Sequence, residues 1–269
     1  MTLKTKPQLE NVAETLLITL YSRALEAQRA DALIKDERAM KLVKQLNYDF
    51  ERIKVQPHDQ LFIILRERKF DNHVREFLSR NPKGVIVHIG CGLDTRFERV
   101  DNGECEWFDL DLPEVIDLRK NLGFEETTRH HMVSASVLSD EWLKPLEECK
   151  HVPMIFLAEG VFPYFTTADV KSVIRKIREF SPGSELVLDG HKGYLLAADN
   201  AQLMLGGLKA QMRWNLNNPR EVEKWGENIR LLDEWYYFDD PEPRMKLHRW
   251  MTIVPGLSKS SGVFHYRLG

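Results

Sequence analysis

The sequence predicts an α/β fold, a doubly wound and mostly parallel sheet entered after a long helical stretch. Three observations predict it. From residue 85 onward, short apolar runs alternate with amphipathic ones. The run Val85–Ile89 breaks into Gly90-x-Gly92, as a buried strand does when the chain turns under a ligand into a helix. A second run, 105–109, ends among acids, Asp109 and Asp111, about twenty residues after the glycines.

The elements follow in order. Residues 11 to 47 read as two helices: Val12, Leu16, Leu20 and Ala24 recur every four residues beside Leu17, Tyr21 and Leu25. Asp36 opens the second, where Ala39, Leu42, Val43 and Leu46 repeat the pattern. A third helix covers about 59–79 with Phe70, Val74, Phe77 and Leu78 inward, and Asn81-Pro-Lys-Gly84 stops it. Strands are expected at 85–89, 105–109, 130–135, 154–158 and 184–189, and helices at 93–99, 113–121 and 167–180. Pro113 suits a first helical position behind Asp111, which can cap that helix. Thr166 and Asp169 start the last of these helices, and Ser181-Pro-Gly183 ends it. Residues 192–225 read as a largely helical insertion rich in Leu, Met and Trp, before two strand-like runs, 229–237 and 262–268, that could pair antiparallel at the sheet edge. The expectation is one compact domain. Residues 1–84 form a helical cap, and 85–269 form the core that carries the insertion. No repeat or low-complexity tract interrupts it.

Composition narrows the function. The chain of 269 residues is 43% hydrophobic and 29% charged, ordinary for a globular protein. A net charge of −3, with no Lys/Arg run interleaved with aromatics, argues against nucleic acid as partner. Cys91, Cys105 and Cys149 are odd in number and far apart, neither a disulfide framework nor a metal pattern, and suit a reducing compartment. Met1 to Pro7 is basic and polar, and no segment approaches the roughly eighteen apolar residues of a membrane helix. A cytoplasmic protein without a membrane partner is expected; oligomeric state leaves no signal.

An acid about twenty residues after the glycine turn can accept hydrogen bonds from both hydroxyls of a ribose, so the motif predicts an adenosine-containing cofactor. A dinucleotide fingerprint needs a third glycine, which would fall at Thr95, and Asp94 puts negative charge where a diphosphate would lie. S-adenosyl-L-methionine carries a sulfonium, an ammonium and one carboxylate but no phosphate. The turn therefore favours the methyl donor over a nicotinamide or flavin. A bare strand–helix turn with an acidic cap is the remaining alternative.

The chain also resembles the leucine carboxyl methyltransferase and polyketide O-methyltransferase family of the tetracenomycin type. The matching segments are residues 14–26, Arg66-Glu-Arg-Lys-Phe-Asp71, Gly90-Cys-Gly-Leu-Asp-Thr-Arg96, Asp109-Leu-Asp-Leu-Pro-Glu114, Glu159-Gly-Val-Phe-Pro-Tyr164 and the C-terminal 259–269. The resemblance implies a class I methyltransferase sheet of about seven strands with the last antiparallel, and S-adenosylmethionine as cofactor. It implies that Arg66 grips the cofactor carboxylate, a role suited to a guanidinium fork, with Arg23 reaching the same group. Gly90 and Gly92 would let the backbone approach the methionine moiety. Asp111 would bind the ribose, with Asp109 two residues earlier on the same face. Family relatives often carry Asp-Leu where this chain has Ser136-Val137; the serine hydroxyl and the Val137 amide can still meet adenine. Glu159 would receive the ammonium end, and Tyr164 could face the acceptor.

Methyl transfer needs donor and acceptor held in line and water excluded, an orientation worth roughly 7–11 kcal/mol. A carboxylate acceptor needs no base, whereas a phenol or enol would benefit from one. His191, His130 and His131 are the candidates, and none is assigned from sequence; His88 reads as a packed strand residue. Tyr194, Met204, Met212 and Trp214 offer apolar surface for a small-molecule acceptor. No metal is expected. O-methylation of a small, polyketide-like or carboxylate molecule is the leading expectation, and a non-catalytic S-adenosylmethionine or S-adenosylhomocysteine binder is the competing one.

Overall fold

The computed structural model describes residues 15–53, 56–205, 210–246, 253 and 256–269. Val12 and Glu14, which the sequence places on the first helix, lie outside the described residues.

Five strands form the parallel part of the sheet: β1 (Val85–Ile89), β2 (Glu106–Asp111), β3 (His130–Ser134), β4 (Met154–Ala158) and β5 (Ser184–His191). β6 (Ile229–Tyr236) and β7 (Ser261–Leu268) complete a seven-stranded sheet of order β3-β2-β1-β4-β5-β7-β6. β7 runs antiparallel to both β5 and β6. The predicted class I sheet and its antiparallel last strand are therefore present. Strand order reverses between β1 and β4, and in open α/β sheets ligands bind in the crevice at the carboxyl ends beside such a switch point.

Both faces are covered, and the central strands β1 and β4 are buried along their whole length. Three helices precede the sheet: α1 (Leu16–Glu26), α2 (Glu37–Gln45) and α3 (Pro57–Arg80). α3 lays Phe70, Val74, Phe77 and Leu78 against Ile86, Trp107, Ile155 and Val187. Each such side chain stabilises the packing by about 1.5–3 kcal/mol. Val85, Val87 and Ile89 alternate to the opposite face and meet α6 (Thr167–Phe180) through Val170, Val173, Ile174 and Ile177. α1 and α2 form a third apolar cluster with Leu118 of α5 (Pro113–Asn121) and Leu122 just past its end, and Leu93 of the turn after β1 joins it. Asp36 caps α2 by accepting from the Ala39 amide at 2.8 Å, and Thr166 and Asp169 close a capping box on α6, as their spacing predicts.

Several details differ from expectation. The helix predicted at 93–99 is α4 (Arg96–Val100), because the chain is still turning from Gly92 through Thr95. β2 continues to Asp111, so both acids belong to the strand. The insertion is less helical than its composition suggests: α7 (Leu196–Leu205) is followed by irregular chain over 210–218 and a 3₁₀ segment, Pro219–Trp225. Asp111 does not cap α5; it accepts from the Leu112 amide at 2.7 Å instead.

Candidate cofactor and acceptor site

The turn after β1 needs left-handed backbone twice, at Gly90 (φ 65°) and Gly92 (φ 51°). A Cβ at Gly90 would also overlap the Val161 side chain. Asp111, at the end of the neighbouring strand, accepts from the Gly92 amide through Oδ2 at 2.7 Å and so ties the two strand ends together. Burial pushes this half-buried carboxyl up, against the pull of its two amide donors and Arg119. A carboxylate in that condition gains from further neutral donors, such as a pair of ribose hydroxyls.

A cavity of about 450 Å³ opens over these strand ends, within the range of small-molecule sites. Arg66, Gly90, Gly92, Asp111, Ser136, Val137, Glu159 and Tyr164 all line it. The structure thus brings together most of the residues singled out from the sequence.

Two it does not. Asp109 is absent from the lining and 2% exposed. Burial opposes its ionisation, but Arg119, His130 and His88 overcome that and hold its carboxyl far below the usual range. It bonds to Arg119, to His130 Nε2 at 2.7 Å and to Trp107 Nε1 at 2.8 Å, one pleat too deep for a ligand. Arg23 lines the wall, but its three nitrogens are committed: Nε to Asp36 at 3.0 Å, Nη1 to Glu67 at 2.7 Å and Nη2 to the Leu93 carbonyl at 2.8 Å. It supports the turn from behind rather than reaching for a carboxylate. Of the four proposed acceptor residues, only Met212 lines the cavity. Tyr194 and Met204 are exposed, and Trp214 is packed in the core beside Phe162.

The sequence reading missed the ion network beneath the cavity. Arg66, Arg96, Arg23 and Arg99 face six carboxylates, Asp36, Glu67, Asp71, Asp94, Glu159 and Asp189. Arg66 bonds through Nε to Glu159 and through Nη1 to Asp189, each at 2.8 Å. Arg96 reaches Glu159 at 2.7 Å, Glu67 at 2.9 Å and Asp94 at 2.7 Å. Those three acids bring oxygens within 4.8 Å of one another, but the Arg96 guanidinium already sits among them, so the cluster fits an internal cation rather than a metal. Burial, then the nearby Glu67 carboxylate, push the Glu159 carboxyl up to about 7 despite both arginines. An excess of buried carboxylates over guanidiniums suits a ligand that arrives with positive charge, as a sulfonium and an ammonium do.

The signal that could have found this network lies on α3. Glu67 and Asp71 occupy the same inward stripe as Phe70 and Val74, and both are 2% exposed.

A seven-stranded sheet of this order, a glycine turn and an acid at the end of the next strand are the features of a class I S-adenosylmethionine-dependent methyltransferase. The sequence model for leucine carboxyl methyltransferase matches residues 16–178, and the chain belongs to that family. It is 32% identical over 235 residues to the tetracenomycin polyketide synthesis O-methyltransferase TcmP of Streptomyces glaucescens, covering 87% of this chain and 86% of that one. It is 29% identical to the S-adenosyl-L-methionine-dependent methyltransferase dpfgK of Gibberella zeae, covering 93% and 90%. Among solved structures, a DUF574 family protein of Streptomyces avermitilis shares the fold with TM-score 0.55 at 12% identity, covering 93% of this chain and 97% of that one. S-adenosyl-L-methionine is the cofactor. The geometry and charge of the cavity fit it.

Proposed function

We propose that the chain methylates an oxygen of a small, largely apolar acceptor, polyketide-like or a carboxylate, by in-line displacement. The observation that carries this reading is the apolar share of the cavity wall. Beside the residues assigned to the cofactor, the lining includes Ile18, Ile63, Pro163, Tyr164, Phe165 and Met212. Such a pocket takes a small flat molecule and excludes water. The name of the S. glaucescens relative, an O-methyltransferase of polyketide synthesis, supports the same acceptor class.

When bound, S-adenosylmethionine supplies a methyl group already activated on a sulfonium. In this reading the chain's residues bind and orient. Asp111 accepts from the ribose hydroxyls, and Ser136 with Val137 meets the adenine. Gly90 and Gly92 bring backbone against the methionine portion, Arg66 takes its carboxylate, and Glu159 takes its ammonium. Tyr164 stands at the acceptor side. The helices before β1 serve as the cap over the acceptor. No helix among the described residues is long and apolar enough to cross a membrane, and we place the enzyme in the cytoplasm.

The test is turnover. Purified protein incubated with methyl-labelled S-adenosylmethionine and a panel of hydroxylated and carboxylated aromatics is expected to yield labelled O-methyl products and S-adenosylhomocysteine. Tight adenosyl binding with no transfer to any acceptor would mean a sensor instead of an enzyme.

A further inference from the structure

Asp189 is an acid that the sequence does not single out, on the strand beside the one that leads into Glu159. Register pairs Leu188 of β5 with Ala158 of β4, which sets Asp189 level with Glu159, and β7 pairs Val263 with Asp189 from the other side. The residue is 1% exposed, yet it takes part in the cavity wall. Both of its oxygens are placed: Oδ1 accepts from the Gly160 amide at 2.8 Å and Oδ2 from Arg66 Nη1 at 2.8 Å. One carboxylate thus ties the turn after β4 to the helix α3 that carries Arg66.

Arg66 stands about one turn before Phe70 on the stripe of α3 that faces the sheet. Of the five N–H donors of a guanidinium, Nε is given to Glu159 and one on Nη1 to Asp189. Among the described residues Nη2 has no hydrogen-bond partner, and it lies beside Gly160, 3.4 Å from where a Cβ would stand there. Arg66 and Gly160 both line the cavity. A guanidinium held on two sides presents its remaining donors in one direction, the preorganisation that capture of a carboxylate needs.

The two carboxylates that hold Arg66 are not equivalent. Glu159 already gives its second oxygen to Arg96 at 2.7 Å, and in the reading above it also receives the cofactor ammonium, which competes with Arg66 for it. The other partner of Asp189 is a backbone amide, which carries no charge to compete. Burial works against the charge on Arg66, and Asp189, ahead of Glu159, is the acid that does most to keep that charge in place. The anchor that remains when an ammonium arrives is therefore Asp189.

We infer that Asp189 is a positioning residue for the cofactor: it holds Arg66 and the Gly160 amide so that the guanidinium meets the carboxylate of S-adenosylmethionine while Glu159 is left to the ammonium. This rests on the assignment of Arg66 to that carboxylate and deepens it. Asp189→Asn keeps an oxygen for the Gly160 amide but turns an amide nitrogen, a donor, toward Nη1, which releases the arginine.

The experiment measures calorimetric affinity of the whole chain for S-adenosylhomocysteine, for its deaminated form, which keeps the carboxylate, for its decarboxylated form, which keeps the ammonium, and for methylthioadenosine, which has neither. Wild-type protein is compared with Asp189→Asn, Arg66→Gln and the double variant. Asp189→Asn should weaken the two carboxylate-bearing ligands by about tenfold or more and leave the other two unchanged. In the double variant, Asp189→Asn should add nothing to the loss caused by Arg66→Gln, because it acts through that arginine. The double variant removes both buried charges together, so this comparison stands even where Asp189→Asn alone fails to fold. An equal loss on all four ligands would mean a structural role and overturn the inference. So would a loss confined to the ligands that keep the ammonium, which would make Asp189 its direct partner, or a further loss in the double variant. A wild-type protein that binds the carboxylate-bearing ligands no more tightly than the others would instead overturn the Arg66 assignment itself.

Discussion

Asp111 and Gly92 are joined by a 2.7 Å hydrogen bond from the Gly92 amide to Oδ2, across the gap between the ends of β2 and β1. The bond forms only because Gly92 holds φ at 51°, a conformation in which an L side chain is strained, and Leu16 lies 3.3 Å from where a Cβ would stand. Gly92→Ala should therefore cost about 1–2 kcal/mol of stability. It should also weaken S-adenosylhomocysteine by about tenfold, because the turn moves away from Asp111. Urea unfolding and calorimetry on one preparation check both.

Glu159 gives the site a pH dependence. Its carboxyl is raised to about 7, so in the ligand-free protein at neutral pH a large share carries a proton. Only the carboxylate attracts an ammonium. Affinity for either adenosyl ligand should rise with pH through about 7, by up to tenfold per unit on the acid side. Because the folded value lies above the unfolded one, this same group makes the ligand-free protein less stable as pH rises from about 4.5 to 7. Glu159→Gln should flatten the binding profile; a profile equally steep in the variant would contradict the assignment.

His73 predicts acid sensitivity. Both ring nitrogens are buried without a hydrogen bond, with Asp233 at 3.7 Å and Glu76 at 4.0 Å, and the ring lies 4.8 Å from that of His265. Burial, then His265 and Lys69, push it from 6.5 down to about 3. The unfolded chain binds the extra proton, so stability should fall below pH 6.5 by about 1.4 kcal/mol per unit. Glu185, lowered to about 2 by His265 and Arg80 against the opposing effect of burial, adds its own loss only below about pH 4.5. His73→Phe should remove the upper portion of the acid limb in thermal melts and leave the lower one.

Arg119 holds the glycine turn from beneath. Its Nη1 donates to the carbonyls of Gly92 at 2.9 Å and Asp94 at 3.0 Å, and its Nη2 pairs with Asp109. Arg119→Met takes the guanidinium from the buried Asp109 carboxylate, leaving it only His130 and Trp107, and should cost about 3–5 kcal/mol. Adding Asp109→Asn should recover part of that. A double variant no more stable than the single one would show that the pair is not what the substitution breaks.

Much of this was legible from residue types alone. The β-branched run before Gly90, Pro113 and the Thr166–Asp169 spacing each correspond to one local geometry, so strands and helix starts fell within a few residues of their places. Strand periodicity also put Asp109 and Asp111 on one face, but it carries no information on depth, and Asp109 proved to be a buried partner of Arg119 and His130. Arg23 failed for a similar reason. Its partners Asp36 and Glu67 lie 13 and 44 residues away in the chain, and only the fold brings them together. The apolar insertion residues Tyr194, Met204 and Trp214 look alike in sequence to Met212, yet Met212 alone is carried to the cavity, held by the Asn200 side chain on both its amide and its carbonyl.

The central claim is an adenosyl site built on Gly90, Gly92 and Asp111. Calorimetric titration with S-adenosylmethionine, S-adenosylhomocysteine and NAD, repeated on Asp111→Ala, tests it most directly. The account predicts micromolar binding of the two adenosyl ligands and none of NAD, with the substitution weakening both by at least tenfold. Tight NAD binding, or adenosyl affinity indifferent to Asp111, would contradict it.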